Sequence, residues 1–133
     1  MPNIAYAKSS GVPFVTEITV GTHHVLADEP VDAGGADVGP TPHDILLSAL
    51  GACTAITLRM YAQRKQWPLE EVNVQLSFGD AGTAKGTTII ERDVKLTGAL
   101  DEEQRQRLLQ IANSCPLHKI LTGTVEIPTK LVT

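Results

Sequence analysis

The residues best suited to chemistry in this chain are its two cysteines, Cys53 and Cys115. A thiolate is a nucleophile, a metal ligand and a site of reversible oxidation, so two cysteines in one chain are a candidate redox pair. Cys53 lies within an apolar stretch, where a free cysteine usually behaves as a small buried hydrophobe. The residues around Cys53 therefore leave two interpretations open, an inert buried thiol and a redox thiol.

Cys115 stands directly before a proline in the sequence Ser-Cys-Pro-Leu-His. If it precedes a short helix, free backbone N–H groups and the positive end of that helix favour its thiolate form. His118, one helical turn further on, is a candidate source of additional positive charge. The alternative is that Cys115 fills the end of an apolar stripe and that His118 is solvated.

The four histidines do not form a metal-binding pattern with the cysteines. The chain lacks the Cys-x-x-Cys and His-x-x-x-His spacings that structural zinc sites normally show. His23 and His24 are adjacent in a predicted strand, so their side chains point to opposite faces. Phosphate-binding glycine loops and the nucleophile elbow are also missing from the sequence. We therefore predict a protein with no metal and no cofactor.

The composition predicts an ordinary globular protein. The chain has 133 residues, which fits one domain over residues 1–133, and 42% of them are hydrophobic, which excludes a disordered chain. Its net charge of -4 and the lack of a basic cluster argue against nucleic-acid binding. The N-terminus does not resemble a signal peptide, and the apolar stretch 45–58 is too short to span a bilayer. We predict a cytoplasmic protein that binds neither nucleic acid nor membranes.

The elements that must position the cysteines are a long helix and a second helix among short strands. Thr41, Pro42 and Asp44 predict the start of the long helix, and Trp67-Pro68 predicts its end. Asp101, with Gln104 three residues later, predicts the start of the second helix, which breaks near Cys115. A short helical turn is expected over 116–121. Alternating or β-rich patterns predict strands over 4–7, 13–20, 23–27, 72–78, 90–97 and 124–131.

This order of elements predicts an α+β fold, with antiparallel strands and a long central helix crossed by a second helix. One twisted sheet with helices on one face is the simplest arrangement of these strands. The first half of the long helix is apolar on nearly all sides, so it keeps apolar surface that one short chain cannot cover. We therefore expect an obligate homodimer.

Two stretches of the sequence, 39–72 and 100–121, resemble the osmotically inducible protein C and organic hydroperoxide resistance (OsmC/Ohr) family. The closest resemblance is to its branch of small redox proteins described as regulators of disulfide-bond formation. The cysteine contexts Leu-Gly-Ala-Cys-Thr and Cys-Pro-Leu-His-Lys are specific when they occur together. The resemblance implies an OsmC-like fold, an intertwined homodimer with active sites at the subunit interface, a peroxidatic Cys53 and a resolving Cys115.

The chain departs from the peroxidase members of that family at two places. Those members carry an arginine in an N-terminal loop, whereas the first arginine here is Arg59. They also carry a glutamate ten residues before the peroxidatic cysteine, and here that position is His43, followed by Asp44. His43 and Asp44 are thus candidate accessory residues, which an antiparallel pair of long helices would bring near the partner's cysteine.

Three functions remain open at the level of the sequence. The first is a thiol-dependent redox protein that reduces a small organic hydroperoxide through Cys53 and Cys115, with an external thiol or dithiol as reductant. The second is a binding module of the same fold, without peroxidase activity, that holds a small apolar ligand at the dimer interface. The third is a purely structural or interaction protein.

Overall fold

The structure of the chain is a computed structural model that describes residues 4–79 and 86–132. Its backbone divides into two compact units, Met1–Leu46 and Leu47–Thr133, and the boundary falls inside the first α-helix. We describe each unit by itself. The single domain over residues 1–133 stays a prediction.

The first unit is built on an antiparallel meander, as the sequence predicts. Its central strand pairs on both sides, because Ile18 lies opposite Ala7 on one neighbour and Val25 on the other. Gly21 adopts a left-handed φ of 60° in the tight turn between the second and third strands, which favours glycine. The strands are β1 (Ala5–Ser9), β2 (Thr16–Val20) and β3 (His23–Ala27).

The loop that follows β3 folds around a buried aspartate. The Asp28 carboxylate accepts hydrogen bonds from the backbone N–H groups of Glu29 at 2.7 Å, Ala36 at 3.0 Å and Val38 at 3.2 Å. A single 3-10 turn, Val31–Ala33, lies between these donors. The long loop therefore has a defined conformation that is organised by one side chain.

The long helix α1 spans Pro42–Lys65, with the bounds that the sequence predicts. The Thr41 hydroxyl accepts the Asp44 N–H at 3.1 Å at its start, and Gln66 takes a left-handed φ of 59° beyond its end. Within the described residues, only α1 is long and apolar enough to cross a membrane, by length and composition alone. The full helix is longer than the apolar stretch 45–58, so its length alone does not exclude a membrane span. Core helices of soluble proteins also meet this criterion of length and composition.

The second unit joins a β-hairpin to two shorter helices. Strands β4 (Leu69–Phe78) and β5 (Ile90–Gly98) pair antiparallel, and residues 80–85 of their connection lie outside the described part. The strands therefore form two sheets, and the expectation of one twisted sheet is wrong. Within each sheet, every strand pairs with the strand next to it in sequence, because a short connection is enough to join antiparallel strands. The helices are α2 (Glu102–Ala112) and α3 (Pro116–Thr122).

The core of the second unit holds α2 against α1. Leu58 of α1 and Leu108 of α2 are fully buried, and Ala112 completes the cluster. The predicted capping box at the start of α2 is confirmed, since Asp101 and Gln104 exchange side-chain to backbone hydrogen bonds at 2.7 and 3.0 Å. Half-buried side chains surround this core: Tyr61, Trp67, Val72, Val94, Leu96, Leu100 and Ile111.

The predicted C-terminal strand over 124–131 is wrong for the single chain. The described residues after α3 have no regular secondary structure, and Ile127 and Leu131 are 80% and 96% exposed. A strand needs a neighbouring strand for its backbone hydrogen bonds, and no strand of the described chain pairs with this segment. The alternating sequence is therefore left without a partner.

Candidate functional site

The structure brings Cys53 and Cys115 together, both as free thiols. Cys53 lies in the middle of α1 and is half-buried, whereas Cys115 is fully buried between α2 and α3. The side chains of Cys53 and Cys115 interact with each other. The two cysteines thus lie close together within the second unit, although they are far apart in the sequence.

A proline creates the corner that holds Cys115. Ser114 and Cys115 still donate to the last carbonyls of α2, those of Ile111 at 2.8 Å and Ala112 at 3.4 Å. Pro116 lacks an N–H and restricts the residue before it, so α2 ends and Cys115 becomes the N-cap of α3. The break that the sequence predicts is confirmed, and it places a cysteine where the chain changes direction.

The environments of the two sulfurs make them unlike in acidity. Burial raises the pKa of Cys53, and the adjacent Cys115 sulfur raises it further, because this pair disfavours charge on Cys53. Burial also opposes charge on Cys115, but the Cys53 thiol, the His118 and Leu117 N–H groups and the Thr54 hydroxyl outweigh burial and lower its pKa. Cys115 is therefore the more acidic thiol of the pair, and Cys53 the less acidic.

One charged residue contacts side chains on the segments that carry both cysteines, and the sequence did not single it out: Arg92 of β5. Its Nη1 donates to Thr54 Oγ1 at 3.1 Å, and its Nη2 donates to Asn113 Oδ1 at 3.0 Å. In the alternating pattern of β5, Arg92 occupies the same half-buried phase as Ile90 and Val94. A cation on the inward phase of an amphipathic strand was the available signal.

His118 is held as a neutral ring. Its Nδ1 lies 3.2 Å from Arg92 Nη2, and since a guanidinium only donates, Nδ1 must accept and the ring proton sits on Nε2. Burial lowers the pKa of His118, and the charge of Arg92 lowers it further. The positive charge at His118 is therefore that of the Arg92 guanidinium that contacts it. The accessory role suggested for His118 stays a prediction.

His43 and Asp44 lie in the first turn of α1, within the first unit, and both side chains are exposed. The accessory roles suggested for these two residues stay predictions. Among the described residues there is also no group of three or more histidine, cysteine, aspartate or glutamate side chains that could hold a metal ion.

A cavity of about 460 Å³ adjoins the same cluster. Arg92 and His118 form the polar part of its wall, and most of the remaining lining is apolar. Such a combination suits a small organic molecule with one polar group. The other lining residues are Leu50, Thr88, Ile89, Ile90, Leu121 and Thr122.

The fold and the site define a class: a small α+β protein with two reduced cysteines in contact, one on a long helix and one at a helix corner. A model of the OsmC-like protein family matches residues 34–130, which is most of the chain. The chain therefore belongs to the OsmC-like family. A search of curated proteins found no match.

Solved structures share this fold at low sequence identity. An OsmC-like protein from Mycoplasma pneumoniae superposes with a TM-score of 0.77 at 17% identity, over 92% of this chain and 89% of that one. An organic hydroperoxide resistance protein from Legionella pneumophila gives 0.67 at 21%, covering 92% and 90%. OhrB of Bacillus subtilis gives 0.63 at 22%, covering 95% and 94%. These similarities support the predicted α+β, OsmC-like fold.

Proposed function

We propose that the chain is a thiol-dependent redox protein that reduces small organic hydroperoxides through Cys53 and Cys115. The observation that carries this proposal is the direct contact of two reduced cysteines of unequal acidity in an OsmC-like chain. The structurally similar proteins from Legionella pneumophila and Bacillus subtilis are named for organic hydroperoxide resistance. The adjoining cavity, with its mostly apolar lining, supports a small organic substrate.

In this mechanism, Cys115 first acts as the base for its neighbour. The Cys53 proton moves to the Cys115 sulfur as the Cys53 sulfur attacks the distal peroxide oxygen. The O–O bond breaks, the alkoxide leaves and takes a proton from water, and Cys53 becomes a sulfenic acid. The peroxide has then been reduced to an alcohol.

Cys115 next resolves the sulfenic acid. Its sulfur attacks the Cys53 sulfur, the S–O bond breaks, and the departing hydroxide combines with the Cys115 proton to form water. An external thiol or dithiol then reduces the disulfide and returns both protons and both electrons. Such a cycle requires a reducing compartment, so a cytoplasmic location is part of the proposal.

Steady-state consumption of an organic hydroperoxide, with a dithiol as reductant, tests this function. Cys53→Ser should reduce consumption to background, because the attacking sulfur is removed. Cys115→Ser should stop turnover: without the Cys115 base the sulfenic acid forms on Cys53 more slowly, but it is not resolved and a dimedone-type reagent captures it. Unchanged consumption by Cys53→Ser would overturn the proposal.

A homodimer is also part of the proposal. Ile56 and Met60, on the helix that carries Cys53, are 58% and 56% exposed although they are large and apolar. The unpaired C-terminal segment adds exposed apolar side chains that a second copy would cover. A dimer would also supply the partner's His43 and Asp44 as accessory residues. Sedimentation should give twice the monomer mass, and a stable monomer would contradict this arrangement.

A binding module without peroxidase activity is the second candidate, and one observation favours it. The first unit holds a cavity of about 510 Å³ with Phe14, Ile18 and Ile45 among its lining residues. In a dimer such a cavity would hold a small apolar ligand at the interface. Mass spectrometry of the purified protein under native conditions should reveal the ligand if this second function holds.

A further inference from the structure

Arg92 connects the two segments that carry the cysteines. From β5, its guanidinium donates to Thr54, the residue after Cys53 in α1. The same group donates to Asn113 and to the His118 ring, on either side of Cys115. A planar guanidinium fixes such partners more rigidly than a lysine ammonium, because its N–H groups have set directions.

The Thr54 hydroxyl is the link between Arg92 and the sulfurs. Thr54 is fully buried, and its hydroxyl donates to the Leu50 carbonyl at 2.7 Å while accepting from Arg92 at 3.1 Å. The same hydroxyl lies against Cys115, where it favours the thiolate. A hydroxyl has one hydrogen and two lone pairs, so Arg92 anchors the oxygen by a lone pair, and rotation about the C–O bond can direct the single hydrogen to Leu50 or to the sulfur.

Within residues 4–79 and 86–132, the hydrogen-bond partners of the Arg92 guanidinium carry no charge that neutralises it. Thr54 and Asn113 are uncharged, and the His118 ring is neutral because its Nδ1 accepts from the guanidinium. A half-buried cation among neutral partners favours a negative charge nearby. Cys115 is close to two of these partners: its sulfur interacts with the Thr54 hydroxyl, and Asn113 precedes it by two residues.

We propose that Arg92 is the positioning residue of the two-cysteine site: it holds the Thr54 hydroxyl and the corner between α2 and α3 in place around Cys115 and thereby favours the thiolate of Cys115 over that of Cys53. A cation from β5 would thus serve a chain that has no arginine before Arg59. For its kinetic consequence, this inference rests on the proposed function.

The direct test is the titration of Cys115 in a Cys53→Ala background, followed by the ultraviolet absorbance of the thiolate. Arg92→Gln should raise the titration midpoint by about one pH unit, because a cation and an anchored donor are lost. Arg105→Gln is the matched control. Arg105 is also half-buried, but it donates to the Leu96 and Gly98 carbonyls at 2.9 and 3.1 Å, away from the cysteines.

A double-mutant cycle separates positioning from general structure. Thr54→Val keeps the shape of the side chain but removes the hydroxyl, so it should also raise the Cys115 midpoint. If Arg92 acts through that hydroxyl, the Arg92→Gln/Thr54→Val pair should shift the midpoint by less than the sum of the single shifts. Arg92→Lys keeps the charge without the fork and should give an intermediate midpoint; it also serves if Arg92→Gln does not fold.

The outcomes distinguish this inference from the proposed function. The titration uses no peroxide, so an arginine-dependent midpoint supports the positioning role even if the wild-type protein fails to consume hydroperoxide. A midpoint that is unchanged in Arg92→Gln and Arg92→Lys, with wild-type circular dichroism, would overturn the inference even if hydroperoxide consumption is normal. Equal shifts in Arg92→Gln and Arg105→Gln would overturn it as well.

Discussion

Each of the two units surrounds one acidic side chain with hydrogen-bond donors. In the first unit, burial raises the pKa of Asp28, but the N–H groups of Glu29, Val38, Ala36 and Asp37 outweigh burial and lower it below its ordinary value. In the second unit, an analogous set of donors lowers the pKa of Cys115. The physical device is the same: donors stabilise an anion at a position that water cannot reach.

The difference lies in what the donors can do. All the donors at Asp28 are backbone amides of one loop, so they fix a conformation and cannot release a proton. At Cys115 the donors include the Cys53 thiol, which can give up its proton and become a nucleophile. The stabilised anion at Asp28 therefore has a structural role, because its donors are inert. At Cys115 the same stabilisation prepares the site for chemistry, because one of the donors is itself reactive.

The sites around Asp28 and Cys115 also depend on different parts of the chain. Of the substitutions considered, one in the core that supports Cys115 should have the largest effect on the free energy of unfolding. Because the donors at Cys115 come from separate elements, they rely on the core around Leu108, which is fully buried. Leu108→Ala should lower the free energy of unfolding by about 2–5 kcal/mol, because it leaves a cavity. It should also raise the pKa of Cys115 by loosening α2.

Leu109→Ala is the matched control for that substitution, since Leu109 is 52% exposed on the same helix. It should change the free energy of unfolding by no more than about 0.5 kcal/mol. Urea unfolding of both variants measures the difference. Equal losses of unfolding free energy from Leu108→Ala and Leu109→Ala would contradict the claim that the core around Leu108 supports the site.

A smaller and more local effect is expected from Asp28→Asn. An amide replaces one acceptor oxygen with an NH2 group that faces backbone donors, so the midpoint of thermal unfolding should fall by several degrees at neutral pH. Because the pKa of Asp28 is lowered by folding, its stabilisation is present above the ordinary pKa of about 3.9 and is lost as the pH falls through the folded value.

The difference in thermal stability between wild type and Asp28→Asn should therefore shrink as the solution is acidified. Asp32→Asn is the matched control, because Asp32 is exposed in the neighbouring 3-10 turn and should leave the midpoint unchanged. A gap between wild type and Asp28→Asn that stays constant from neutral to acid pH would show that the carboxylate charge is not what organises the loop.

Local signals in the sequence predicted most of the elements. The bounds of α1, the capping box of α2 and the break at Pro116 follow from caps and proline, which act within a few residues. The prediction of a C-terminal strand was wrong because an alternating pattern indicates a preference for a sheet but does not supply the neighbouring strand.

The candidate site was predicted in part. The two cysteines were selected by residue type and resemblance, but their contact depends on the packing of α2 against α1, which no local pattern encodes. Arg92 lies 39 residues after Cys53 in sequence, and only the inward phase of β5 marked it. The lowered pKa of Cys115 depends on donors from several elements, so it required the three-dimensional structure.

The most direct test of the central claim is the intact mass of the fully reduced protein after one equivalent of an organic hydroperoxide. The account predicts that the wild-type protein loses two hydrogens, and that neither Cys53→Ser nor Cys115→Ser does, because the disulfide joins these two sulfurs. An unchanged wild-type mass, with both thiols still open to alkylation after unfolding, would contradict the claim that Cys53 and Cys115 form a redox pair.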